Sequence, residues 1–177
     1  MRLAEQALII YRTIGATLRL ATGHYNLALA LVQADRPDEA LEQLSLALSV
    51  YQGSRHRSGE AMAYWRMAQV HLTAGRPPQA VGVAEQALAA SRGTGNSWVR
   101  ANALSTLGSA LQRTSHPDRA RARACWQEAL AIYEQLGAPE AADVRTLLTG
   151  GPGVPASGQP TGPVRGPEPV TLTVLRL

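Results

Sequence analysis

One thiol, four imidazoles and one arginine cluster are the residues of this 177-residue chain from which chemistry could be built. Cys125 stands beside Trp126. A cysteine nucleophile needs a base within reach to hold its thiolate. No histidine lies within a helical turn of Cys125, so its spacing fits a small, partly buried hydrophobe. His24, His56, His71 and His116 are scattered without the spacing of a zinc site. No phosphate loop, nucleophile elbow or dinucleotide-binding glycine motif is present, so catalytic, cofactor and metal constellations are all absent from the pattern. The densest charge is Arg113, His116, Arg119, Arg121 and Arg123, opposed locally only by Asp118. Arg119 and Arg123 share a face at helical spacing. Such a cluster suits an acidic partner or nucleic acid. A solvated helix face is the plainer reading, because no aromatics interleave for base stacking.

All 17 basic residues are arginine, and lysine and phenylalanine are both absent, a substitution pattern typical of GC-rich coding. The net charge of +4 is too small to argue for nucleic-acid binding by itself. The 45% hydrophobic content is that of a globular chain. No apolar run approaches the length of a membrane span, and MRLAEQALIIYRT lacks the core and cleavage site of a secretory signal. One cysteine excludes an internal disulfide, and a reducing, cytoplasmic setting follows as the expectation.

The elements that position these residues come from an internal repeat with an offset of 40 residues. Pro37, Pro77 and Pro117 align, as do Ala40, Ala80 and Ala120. Leu27, Met67 and Leu107 form another column, with Ala28, Ala68 and Gly108 beside it. Ala7, Ala47 and Ala87 next to Leu8, Leu48 and Leu88 continue the pattern. Each unit reads as two helices: apolar residues recur three and four apart, as in Ala61, Tyr64, Met67, Ala68 and Leu72. Gly75 suits a helix end, and a proline opens the next helix, where its missing N–H costs little. The pattern predicts helices near 3–15, 17–34, 37–53, 57–74, 77–92, 97–114, 117–136 and 139–149. Helices joined by short turns lie antiparallel, and Ala28, Ala68 and Gly108 let each pair close against Ala40, Ala80 and Ala120. A lone pair cannot bury its apolar face, so the pairs must stack into an all-α solenoid.

These small and large residues, then a proline turn and an alanine in the next helix, resemble the tetratricopeptide repeat. That family's usual period is about 34 residues; the extra residues here fall in the connection between units. SRHRSGEAMAYWRMA and EALAIYEQLGAPEAADVRTLL resemble the long-period repeats at the C-terminal end of antibiotic-regulatory-protein-type activators and STAND-type ATPases of high-GC bacteria. The resemblance covers about residues 4–148. It implies a right-handed superhelix whose first helices line a concave groove for a protein or peptide, as the sensory or coupling part of a longer regulator. Two departures stand out. In the third unit the second-helix residues come two positions late, at Ala129 and Leu130, which places an insertion within RARARA. The array also opens on a lone second helix, leaving a packing edge uncovered as at the end of a longer stack.

On this architecture the groove candidates are first-helix residues facing away from the partner helix: Tyr25, Leu29, Met62, Trp65, Arg66, Gln69, Asn102, Ser105, Ser109, Gln112 and Arg145. Tyr25 and Trp65 are either aromatic anchors for a ligand or packing against the next unit. His71 shares a column with Leu31 and Leu111, the place of a core or groove histidine. The repeat domain is expected over 1–149. The segment 150–177 is expected to be a disordered Pro/Gly-rich linker ending in VTLTVLRL. The rival to a protein- or peptide-binding scaffold is a nucleic-acid-binding array built on the Arg113–Arg123 cluster.

Overall fold

The computed structural model describes residues 5, 6 and 17–150. Most of the helix expected near 3–15, with Ala7 and Leu8, and the whole segment 151–177 lie outside the described residues. Among those described there are seven α-helices and no strand: α1 Thr17–Gln33, α2 Pro37–Gly53, α3 Arg57–Thr73, α4 Pro77–Ser91, α5 Ser97–Arg113, α6 Arg119–Leu136 and α7 Ala141–Thr149. Their composition, rich in alanine and leucine, favours helix. The helix ends are marked in two ways. Pro37 and Pro77 open α2 and α4, whereas His56, Asn96 and Asp118 accept backbone N–H bonds from Gly59, Val99 and Arg121 at the starts of α3, α5 and α6. The turns into α2 and α4 pass through left-handed residues, Asp35 and Gly75.

Each helix packs on its chain neighbour, and α3 also meets α5, so the described helices build a solenoid whose core runs from unit to unit. The first unit gathers Ala21, Tyr25, Ala28, Ala40, Leu44 and Tyr51, with Val70 arriving from α3. The last unit gathers Leu104, Leu107, Ala122, Trp126, Ala129 and Tyr133 with Val144 of α7. Between them, Ala61 meets Ala90 and Val99, and Trp65 meets Ala87 and Ala103. Where paired helices approach most closely the residues are small: Ala28, Ala68, Ala40 and Ala80 are all sealed from solvent.

The third unit corrects two sequence expectations. The turn between α5 and α6 spans residues 114–118, five instead of the three that precede α2 and α4, so the extra residues lie in the turn and not within RARARA. Pro117 consequently stands outside the helix, before the Asp118 cap, and α6 begins two residues later than expected. Ala120 is exposed; its place against the partner helix is taken by the buried Ala122. The same shift puts Trp126 where Leu44 and Ala84 stand in earlier units. Gly108 answers it: a Cβ there would lie 2.6 Å from Trp126 Nε1 and 2.9 Å from the Ala122 carbonyl oxygen.

Two stability measurements test this packing. Ala68→Leu should overpack the α3–α4 contact by about 1–3 kcal/mol and lower the Tm. Gly108→Ala should also lower it, although alanine favours helix over glycine by about 1 kcal/mol, and Trp126→Leu in the same chain should recover part of the loss by recreating the Ala28–Leu44 arrangement. An unchanged Tm in Ala68→Leu would show that the register of the first helices is wrong.

Candidate functional site

Four of the expected groove residues come together where the first two units meet. Tyr25 lies mid-way along α1, and on α3 Trp65 and Arg66 are neighbours with Gln69 about one turn further on. The small residues Ala87 and Ala103 leave room for the Trp65 indole, which is only 2% exposed and meets the Trp98 ring edge-on at 5.1 Å. Trp65 therefore packs against the next unit. Its Nε1 is buried and has no hydrogen-bond partner. The Arg66 guanidinium lies 4.3 Å from the centre of the Trp65 ring and 5.9 Å from that of Tyr25. Its Nε donates to Tyr25 Oη at 2.7 Å and its Nη1 to Gln69 Oε1 at 2.8 Å. Burial pushes the Tyr25 phenol above its ordinary pKa, and the adjacent Arg66 opposes that shift.

Arg66 is thus fixed from three sides by neutral groups. Six other arginines have carboxylate partners: Arg36 with Glu39, Arg57 with Glu60, Arg76 with Asp38, Arg100 with Glu128, Arg121 with Glu85 and Arg145 with Glu134. Arg66 is only partly exposed and, among the described residues, has no ion-pair partner. A positioned guanidinium with aromatic support can recognise an anion or a carbonyl, since cation–π contact and hydrogen bonds set its plane beforehand.

The remaining candidates are placed differently. Leu29 and Met62 are half-buried against the first-unit core. Asn102 is buried and its Nδ2 donates to the Trp98 carbonyl at 2.8 Å. Ser109 Oγ donates to the Ser105 carbonyl at 3.0 Å, and Trp126 Nε1 donates to that same carbonyl at 3.2 Å. These polar groups serve their own backbone. Gln112 lies at the far end of the stack, and Arg145 is held by Glu134 at 2.7 Å. Trp98 was not among the candidates; its Nε1 donates to Glu140 Oε1 at 3.1 Å, a contact over 42 residues of sequence that no local spacing signals. Cys125 is buried, and that burial pushes its thiol pKa up, away from nucleophile behaviour. No group of three or more His, Cys, Asp or Glu side chains capable of holding a metal ion occurs among the described residues. No helix there is long and apolar enough to cross a membrane.

Residues 19–93 match the tetratricopeptide repeat family. The chain is 39% identical over 148 residues to the regulatory protein AfsR of Streptomyces griseus, an alignment that covers 84% of this chain and 14% of that protein. It is 46% identical over 146 residues to the regulatory protein AfsR of Streptomyces coelicolor, covering 82% of this chain and again 14% of the relative. The chain therefore spans about one seventh of the length of these relatives.

His71 gives the site region a pH dependence. Its Nδ1 is buried without a partner; burial first, then Arg76, lowers its pKa below the ordinary value of 6.5, with Asp38 opposing. Above that value the imidazole is neutral whether folded or unfolded and contributes no pH dependence. As pH falls below it, the unfolded chain takes up the proton first, so stability drops until the folded-state pKa is passed. His71→Leu, which copies Leu31 and Leu111, should raise the Tm more at pH 5 than at pH 8. An equal gain at both would remove the linkage.

Proposed function

This chain carries tetratricopeptide repeats, and from that premise we propose that it is a protein- or peptide-binding scaffold, the sensory or coupling part of a transcriptional regulator. The similarity to regulatory proteins about six times its length supports a role beside other domains of a parent chain. The repeat domain spans residues 1–149, with 150–177 as a linker. The scaffold works in the cytoplasm, without a cofactor and without catalysis of its own. The ligand lies along the first helices at the joint of the first two units, centred on Arg66 and Gln69 with Leu29 and Met62 beside them.

The observation that carries this reading is Arg66, a partly exposed guanidinium fixed by Tyr25, Gln69 and the Trp65 ring. Arginines and aromatics held in place before binding are the usual energetic centres of interfaces. Trp65 and Tyr25 then act as the wall behind the contact, since both are buried.

The test is a displayed-peptide selection on the full chain, followed by affinity measurements on variants. Peptides selected on the native chain should bind Arg66→Met at least tenfold more weakly, a loss of about 1.4 kcal/mol, while Arg92→Met binds as the native chain does. Affinities indifferent to Arg66 would move the ligand elsewhere. The nucleic-acid rival is tested by titrating duplex DNA at rising salt, because phosphate contacts weaken steeply with salt concentration. No salt-sensitive binding is expected.

A further inference from the structure

A second recognition place lies at the other end of the stack and goes beyond the groove reading. Helix α7 has 9 residues, about half the length of α1, α3 and α5, which have 17 each. In the first unit, Val70 from the second half of α3 packs with Ala40 and Leu44 of α2. Their counterparts in α6 are Ala122 and Trp126. Over these, α7 ends at Thr149, and a cleft of about 210 Å³ opens with Ala122 and Trp126 on its floor and Leu147 and Leu148 on its wall. Arg119 and Arg123, one helical turn apart, stand at its rim.

The charges lining this cleft are one-sided. Arg123 reaches only a backbone oxygen, that of Leu148, at 3.3 Å. Neither Arg113, Arg119 nor Arg123 has a carboxylate partner among the described residues. Arg121, on the same helix, engages two acids: it pairs with Glu85 at 2.5 Å, and its backbone N–H bonds to Asp118 Oδ1 at 2.9 Å, while Asp143, a turn before Leu147 on α7, has no ion-pair partner among the described residues. An apolar floor beneath uncompensated guanidinia fits a chain that presents an aliphatic side chain flanked by carboxylates. We propose that the cleft between the first half of α6 and the end of α7 docks an acidic, leucine-bearing segment of a partner protein, its carboxylates on Arg119 and Arg123. This occupant lies against Leu147 and Leu148, where the earlier units have the second half of a full-length first helix.

The experiment uses the full chain and a defined probe, the capped peptide DELLEELDE, with NQLLQQLNQ as its uncharged counterpart. The readout is the indole N–H resonance of Trp126, distinguished from those of Trp65 and Trp98 by the Trp126→Phe spectrum. At low salt the acidic peptide should shift the Trp126 resonance to saturation and leave the other two in place. Arg119→Glu/Arg123→Glu should weaken binding at least tenfold. Arg55→Glu/Arg92→Glu, the same charge change at exposed arginines elsewhere, should weaken it less than twofold. Equal loss in both pairs, or equal binding of the uncharged peptide, overturns the proposal. A shift at Trp65 or Trp98 instead assigns the peptide to the groove. An oligothymidine probe that moves Trp126 more tightly than the peptide makes the cleft a nucleic-acid site. If the peptide leaves Trp126 unmoved and Arg119→Glu/Arg123→Glu moves the resonances of residues 151–177, the occupant is the chain's own tail.

Discussion

The near-contact of two helix backbones inside each unit is the constraint from which the rest of this structure follows. Ala28, Ala68 and Gly108 on the first helices, and Ala40, Ala80 and Ala122 on the second, are the small residues at that contact. Small residues let the helices close without a void, and larger ones on either side, such as Leu27, Leu107, Tyr51 and Tyr133, fill the space that the crossing leaves. The third unit shows how strict the constraint is. A tryptophan at the position of Leu44 leaves no room for even one methyl group opposite it, and glycine is the residue found there. The polar end of that tryptophan then needs a partner, which the Ser105 carbonyl supplies.

This constraint also explains which parts of the fold were legible in the sequence. Alanine and leucine columns report the helix contact directly, so the first five helices of the described chain lie within one residue of their expected ends. The reading slipped where a coincidence at the same offset had no structural cause. Pro117 matches Pro37 and Pro77 by number, yet two added turn residues had already moved the helix past it, and Ala129 with Leu130 were the signal that the register had changed. The groove was less legible for a different reason. Whether Trp65 faces a ligand or the next unit depends on Ala87 and Ala103, which lie 22 and 38 residues away and are small enough to admit it. Spacing within one helix carries no information about that cavity. The pairs Arg100–Glu128 and Arg121–Glu85, 28 and 36 residues apart, were out of reach on the same grounds.

The ion pairs matter less for stability than for what they leave over. Most are exposed, and exposed pairs contribute about 0–1 kcal/mol each. They engage six of the thirteen described arginines. Among the other seven, two places stand out by their surroundings. Arg66 is uncompensated yet held by three neighbours, and Arg119 with Arg123 are uncompensated beside an apolar cleft. Both lie at joints of the stack, one between the first and second units, the other where the last short helix stops.

A solenoid transmits strain because each unit touches only its neighbours. Arg66 belongs to α3, but its Nε bond goes to Tyr25 of α1, so this one side chain spans two units. A ligand anion that draws the guanidinium away from Tyr25 Oη must leave a buried hydroxyl to find another partner, or must let α1 and α3 shift relative to each other. Leaving Trp65 in place while Arg66 moves would likewise uncover its ring face. Contact at this residue is in that way coupled to the angle between units, and a small change of angle at one joint displaces everything beyond it. If the proposed ligand binds at Arg66, tightly closed pairs joined through single side chains would let an event at one unit register at the next.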